Sequence, residues 1–261
     1  MEKKTAKSNA AETAKGPGPG VQQPVFYRHL EALTAERHGS LLLKPDLDFR
    51  FAKNTNAVPI TDVEFAAASR FYPIVFTSEP VAPIVVLGLQ NENLFVEDNG
   101  HWAGPDHYIP AYVRRYPFIF IEHPGGFTLG LDRACERIVE ADAADRTGEP
   151  FFVEGQPSAF TKDALNFSAQ LQNQHRVSRE FGAALAEQNL LVDREANAVL
   201  KDGQRFNVQG FKVVDAEKFK ALPGAVILEW HRKGWLGLVH FHLASLDRFR
   251  DLMLRMPKAA A

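Results

Sequence analysis

Residues 93–121, NLFVEDNGHWAGPDHYIPAYVRRYPFIFI, constrain this chain more than any other stretch, because turn-formers and prolines chop an aromatic run into short elements. Asp98-Asn99-Gly100 is a turn signal, since Asn and Gly tolerate positive φ. Leu94, Phe95 and Val96 lead into it, and His101 and Trp102 leave it, which predicts a hairpin. Asp106 can cap a short helix through Tyr108, Ala111, Tyr112 and Val113, with Pro110 tolerated in its first turn. Pro117 stops that helix, because the residue before proline is pushed out of the helical region. Tyr108, Tyr112 and Tyr116 are four apart, so they would share one helix face, with Arg114 and Arg115 beside it. Pro117 to Ile121 follows as a buried strand. Two readings stay open. The stripe is core packing with arginines reaching to solvent, or it is an anion or peptide site, in which paired guanidiniums beside tyrosine hydroxyls suit a carboxylate or phosphate. In the second reading Trp102, Tyr108, Tyr112, Arg114, Arg115 and Tyr116 bind the ligand.

The flanks predict an α+β fold: a largely antiparallel sheet with flanking helices, with room for two subdomains around a long helix. Residues 1–20 lack any core-forming pattern and are expected to be a disordered tail ending in the linker-like GPGPG of Gly16 to Gly20. Val21 begins the folded body. Leu47, Phe49 and Phe51 alternate with polar residues as a strand would. Val58-Pro59-Ile60 is extended, and Thr61 with Glu64 forms a T-x-x-E capping box ahead of a helix of about three turns, ending near Phe71. Pro73 to Thr77, Pro83 to Gln90 and Phe127 to Leu131 read as strands, and Gly125-Gly126 as a turn. Asp132 is expected to cap a helix containing Ala134, Ile138 and Val139. The connection from Ala144 to Pro157 separates an N-terminal part (21–145) from a C-terminal part (158–256).

The longest helix is expected from Thr161 to about Asn189, with Phe167, Leu171, Gln174, Ser178, Phe181 and Leu185 on one stripe. Its polar middle reads as a buried hydrogen-bonding spot, a partner groove or, most simply, a partly exposed face. Leu190 to Leu200 and Phe206 to Val214 form a hairpin across Asp202-Gly203. Pro223 opens a helix that Gly234 ends. Trp235 to Leu243 is expected as a strand, and Ser245 as the cap of a final helix bearing Leu246, Phe249, Met253 and Met256.

Composition narrows the function classes. A chain of 261 residues fits one large domain or two small ones. A net charge of −2 gives no overall field toward nucleic acid or anionic membrane, and no basic stripe interleaves with aromatics, so nucleic-acid binding is not expected. No apolar run reaches the length of a membrane span. The lack of a signal-peptide pattern predicts a cytoplasmic location, or export by a route without an N-terminal mark. One cysteine, Cys135, excludes an internal disulfide, and a buried inert thiol is expected there. There is no G-x-S-x-G and no phosphate loop, and Gly125-Gly126 with Gly130 is no dinucleotide fingerprint. His240 and His242, two apart on an expected strand, would point to one face and are the weak metal-ligand candidates. His29-Leu30-Glu31 is a chance-level H-x-[D/E] match. No cofactor is expected.

Several blocks together resemble the bacterial SapC-like proteins: Val58-Pro59-Ile60, RFYPIVFT (Arg70 to Thr77), VVLGLQNENLFVEDNGHW (Val85 to Trp102), YIPAYVRRYPFIF (Tyr108 to Phe120) and VHFHLASLDRF (Val239 to Phe249). The resemblance covers nearly all of residues 24–255 and brings no catalytic residues with it. It implies an accessory or binding protein, of a kind found with outer-membrane receptors, flavin-dependent halogenases and cupin-like oxygenases. Its ligand would be a peptide, an acidic small molecule or a partner protein. Two other readings remain: a metal-dependent oxygenase-like or peptide-tailoring enzyme using His240 and His242, and a structural protein associated with a surface layer.

Overall fold

The computed structural model describes residues 24–141, 147–199 and 205–256. The expected tail and the Asp202-Gly203 turn lie outside these residues. In chain order the strands are β1 (Leu30–Ala32), β2 (Leu41–Leu43), β3 (Ala57–Pro59), β4 (Ile74–Phe76), β5 (Pro83–Val86), β6 (Phe118–His123), β7 (Gly126–Asp132), β8 (Ile138–Glu140), β9 (Glu149–Pro150), β10 (Phe152–Val153), β11 (Gln156–Pro157), β12 (Leu191–Val199) and β13 (Arg205–Val214). The helices are α1 (Ala35–His38), α2 (Phe65–Ala68), α3 (Ala111–Arg114), α4 (Ala159–Glu187), α5 (Ala216–Lys220), α6 (Gly224–Arg232), α7 (Trp235–Ser245) and α8 (Arg248–Arg255).

All strand pairs are antiparallel, as short strands joined by tight turns require. A five-stranded sheet has the order β12-β13-β4-β5-β3; smaller sheets have the orders β1-β7-β6 and β8-β2-β9, and β10 pairs with β11. The chain is therefore α+β. The large sheet takes strands from both sequence halves, joined where Lys212 of β13 meets Phe76 of β4. One core runs from Tyr27 to Met256, and Tyr72, Phe65, Phe76, Phe95, Phe151 and Phe181 are among its fully buried side chains. Burying each such ring contributes about 1.5–3 kcal/mol. In the described part of the connection before α4, β9 pairs with β2 and Phe151 is fully buried.

Helix α4 crosses this core. Ser158 caps it, its Oγ accepting the Thr161 N–H at 3.1 Å. Leu171, Ser178, Phe181 and Leu185 are buried along the expected stripe. Its polar middle is a buried hydrogen-bonding point and not an exposed face: Ser178 Oγ accepts the Asp62 N–H at 2.8 Å and lies 2.9 Å from Gln174 O. Gly182 lets the helix approach the chain at Val81, where a Cβ would sit 2.4 Å from a carbonyl oxygen.

Five local expectations are corrected. Leu47 to Phe51 is no strand; residues Arg50–Ala52 form a 3-10 turn. The Thr61–Glu64 box forms, but it opens a 3-10 turn followed by the single turn of α2, because Glu64 also binds elsewhere. Asp132 caps a turn and β8 follows, so no helix runs through Ala134 and Ile138. Trp235 to Leu243 is helical: this run is apolar on most sides, and apolar runs of that length do not distinguish strand from buried helix by period. The buried positions Trp235, Val239, His242 and Ser245 follow helical spacing. Ser245 ends α7 instead of capping α8, with its Oγ accepting the Ile74 N–H at 2.9 Å.

Candidate functional site

The 93–121 stretch folds in pieces. Val96 and Trp102 form a bridge around Gly100, whose φ of 86° suits glycine. The helix is limited to α3 with Pro110 as its N-cap. Tyr108 precedes α3 and Tyr116 follows it, so the three tyrosines do not form one outward face.

Two buried carboxylates hold the ends of this segment. Glu64 Oε1 accepts the Ala111 N–H at 2.8 Å and the Tyr108 hydroxyl at 2.9 Å, while Oε2 accepts the Thr61 N–H at 2.8 Å. Asp132 accepts the Arg28, His29 and Ala134 backbone N–H groups and the Tyr116 hydroxyl at 3.2 Å. Burial first, and the Glu64 charge second, push the Tyr108 phenol up to about 12. Burial, with the Cys135 and Asp132 charges behind it, pushes Tyr116 up as well. Trp102 is a core residue, 7% exposed, whose Nε1 donates to the Tyr72 hydroxyl at 3.0 Å. Tyr112 and Tyr116 are also buried. These groups are built into the fold, and the expected outward aromatic patch is not formed.

The two arginines diverge. Arg114 is exposed; its Nε donates to Ile109 O at 3.0 Å, and its guanidinium lies over the Phe167 ring at 5.4 Å. Arg115 turns inward, with its guanidinium 4.1 Å from the Tyr112 ring centroid. It reaches a cavity of about 270 Å³ lined by Pro24, Tyr112, Arg115, Ile119, Phe120, Ser168, Gln172, His175 and Arg179. Helix α3 supplies Tyr112 and the residue after its end supplies Arg115; β6 supplies Ile119 and Phe120. Ser168, Gln172, His175 and Arg179 come from α4 at spacings of four, three and four, which is one helix face.

This cavity is short of partners for its polar groups. Arg115 Nε and Ser168 Oγ are buried with no hydrogen-bond partner, and Ser168 is 5% exposed. No carboxylate lines the cavity, and neither Arg115 nor Arg179 is ion-paired among the described residues. Burial first, then the Arg115 and Arg179 charges, push His175 down to about 4, so it is neutral at pH 7. The result is a small pocket with two guanidinium groups that meet no carboxylate, Arg115 over the Tyr112 and Tyr27 rings and Arg179 exposed, together with a buried serine hydroxyl and an apolar wall. A second cavity of the same volume, lined by Arg28, Asp48, Arg50, Tyr116, Cys135, Glu136 and Arg137 among others, contrasts with it. There Asp48 pairs with Arg50, whose hydrogen bonds hold the carboxyl below its ordinary value, and Arg137 donates to Lys44 O at 2.9 Å. Cys135 is buried, and burial pushes its thiol up.

The histidine pair is separated. His240 and His242 lie on α7, where two residues turn the side chain to a different face. His240 is exposed beside Phe219. His242 is fully buried; its Nε2 accepts the Val214 N–H at 3.0 Å, its Nδ1 lies 2.8 Å from Ile74 O, and burial pushes it down to about 4. Both nitrogens are occupied, so the imidazole serves the fold. Glu31 pairs with Arg37 and His38, not with His29. No group of three or more His, Cys, Asp or Glu that could hold a metal lies among the described residues, and none of their helices is long and apolar enough to cross a membrane.

Sequence reasoning reached Tyr112 and Arg115 but missed Ser168, Gln172, His175 and Arg179. Their 4-3-4 spacing is legible, yet a polar helix face is ordinarily solvated, and only the packing of α4 against β6 turns it into a cavity wall.

A family model described as SapC matches residues 33–252. No curated protein and no solved structure matches the chain.

Proposed function

The chain belongs to the SapC family, and from that premise we propose that it is a binding protein that captures an acidic ligand in the cavity between α3, β6 and α4. One observation carries this reading: Arg115 Nε and Ser168 Oγ are buried without partners, and both line the same cavity. A buried polar group left unsatisfied costs about 1–3 kcal/mol. Two such groups facing one space, with the exposed Arg179 guanidinium at its border, make a site whose missing member is an anion. A carboxylate or phosphate would accept from both arginines and from the serine hydroxyl, and neutral His175 could donate through its remaining N–H. Capture suits this pocket better than chemistry, because Ser168 Oγ has no base hydrogen-bonded to it and is not activated as a nucleophile.

Calorimetric titration of the full chain with succinate and with inorganic phosphate tests this reading. At least one anion is expected to bind. Arg115→Gln with Arg179→Gln is expected to weaken it by about a hundredfold, each charge-assisted contact supplying about tenfold, with little change in Tm. Equal heats for wild type and double variant would remove the site from consideration.

A further inference from the structure

The cavity opens on an unpaired strand edge. In the sheet of order β1-β7-β6, β6 has no neighbouring strand on its outer side among the described residues. Its register sets which backbone groups point there. The Asp132 N–H donates to Pro117 O at 2.9 Å, and Ile119 lies opposite Gly130. Pro117, Ile119 and Ile121 therefore direct their backbone toward β7, while Phe118, Phe120 and Glu122 direct theirs outward. Phe118 spends both of its groups: its N–H donates to Arg115 O at 2.8 Å, and its carbonyl accepts the Tyr27 hydroxyl at 2.6 Å. The outward N–H and C=O of Phe120 and Glu122 make no hydrogen bond among the described residues. Ile119 and Phe120 project to opposite faces of the sheet, and both line the cavity. The cavity therefore sits on the edge of β6 and not over one face.

We infer that the ligand is an extended peptide segment that pairs with the free edge of β6 at Phe120 and Glu122 and delivers a carboxylate to Arg115 and Arg179. This rests on the anion-binding reading above and names the class of anion. The edge supplies two donors and two acceptors in strand geometry, which a small free anion cannot use and a peptide backbone can. The apolar wall formed by Ile119, Phe120 and Tyr112 accepts a side chain next to the carboxylate. Charge decides the polarity: an acidic group is drawn to the guanidinium end, and the exposed Glu122 carboxylate disfavours a second acid further along the strand. The carboxylate is either a chain terminus or an Asp or Glu side chain, since both present the same two oxygens.

An array of hexapeptides of varied sequence, each made with a free and an amidated C-terminus, tests this with the full chain as the probe. Captured peptides are then remade with single N-methyl groups along the backbone. The expected result is a subset retained about tenfold better as the free acid, or as an amide only when Asp or Glu is present, with that preference lost in Arg115→Gln. N-methylation at alternate positions is expected to weaken binding by about fivefold, since alternate N–H groups face the edge. The first pattern locates the carboxylate at the terminus and the second on a side chain; either supports the inference. Succinate or phosphate binding that needs Arg115, alongside peptides whose retention ignores both the carboxylate and N-methylation, would overturn the peptide inference and leave the anion site standing. No difference between wild type and Arg115→Gln toward any peptide or either anion would overturn both.

Discussion

Tyr108 and Tyr116 deliver their hydroxyls to the buried carboxylates of Glu64 and Asp132, whereas Arg115, between them in the chain, keeps a buried Nε with no partner. All three belong to one nine-residue span, 108–116, of aromatic and basic residues that reads as uniform. Folding separates it into two kinds of region. At its ends every polar group is matched, and the chemistry is consumed in holding α3 against the N-terminal segment and β7. In its middle Arg115, though its guanidinium lies over the Tyr112 and Tyr27 rings, turns a buried Nε without a partner toward a cavity that no carboxylate lines. A saturated cluster reports on stability; an unsaturated one reports on something that binds.

The largest effect is expected where saturation is deepest. Asp132→Ala removes the acceptor of three backbone N–H groups and one phenol. It should destabilise the fold by about 4 kcal/mol, measured by urea unfolding, because four hydrogen bonds to one buried charged acceptor are lost together. A loss below about 1 kcal/mol would erase the distinction between the two regions.

His242 gives the next effect. Its folded value near 4 lies below the ordinary 6.5, so the unfolded chain takes up the proton first as pH falls. Its contribution is fully present above pH 6.5 and is lost between about 6.5 and 4, amounting to roughly 3 kcal/mol. His242→Gln should flatten that part of the stability–pH curve; an unchanged slope would place the titration elsewhere, with His175 the first alternative.

Gly182→Ala places a Cβ against Val81 O, one turn of α4 beyond Arg179, and should cost about 2 kcal/mol by overpacking. Anion binding should survive it, since neither Gly182 nor Val81 lines the cavity. The smallest effect is expected at Ser168→Ala, which deletes a buried hydroxyl with no partner. Tm should hold or rise, with a gain of up to about 1 kcal/mol, while succinate or phosphate affinity falls. A substantial loss of stability there would mean that the hydroxyl belongs with the saturated groups.

The fold was legible where local physics is self-sufficient. The Asp98-Asn99-Gly100 turn, the β6–β7 hairpin around Gly125-Gly126, the long helix with its Phe181 and Leu185 stripe, and the Thr61–Glu64 box all rest on neighbours within a few residues. It was not legible at 235–243, where apolar residues satisfy both periods, nor at Asp132, three of whose four donors come from Arg28, His29 and Tyr116, distant in the chain. Of the six residues expected to bind, Tyr112 and Arg115 line the cavity; Trp102 and Tyr116 are core, Tyr108 is tied to Glu64, and Arg114 lies on the outer surface over Phe167.

The sequence by itself determined the α+β class, the family and the presence of a guanidinium pair beside tyrosines, because turn chemistry, block order and residue identity are local properties. Only the tertiary structure decided which arginine faces inward, which hydroxyls are spent, and that a polar stripe of α4 borders the open edge of β6. Those outcomes depend on contacts between different elements of the chain, and no pattern within a single element encodes which buried groups will be left without a partner.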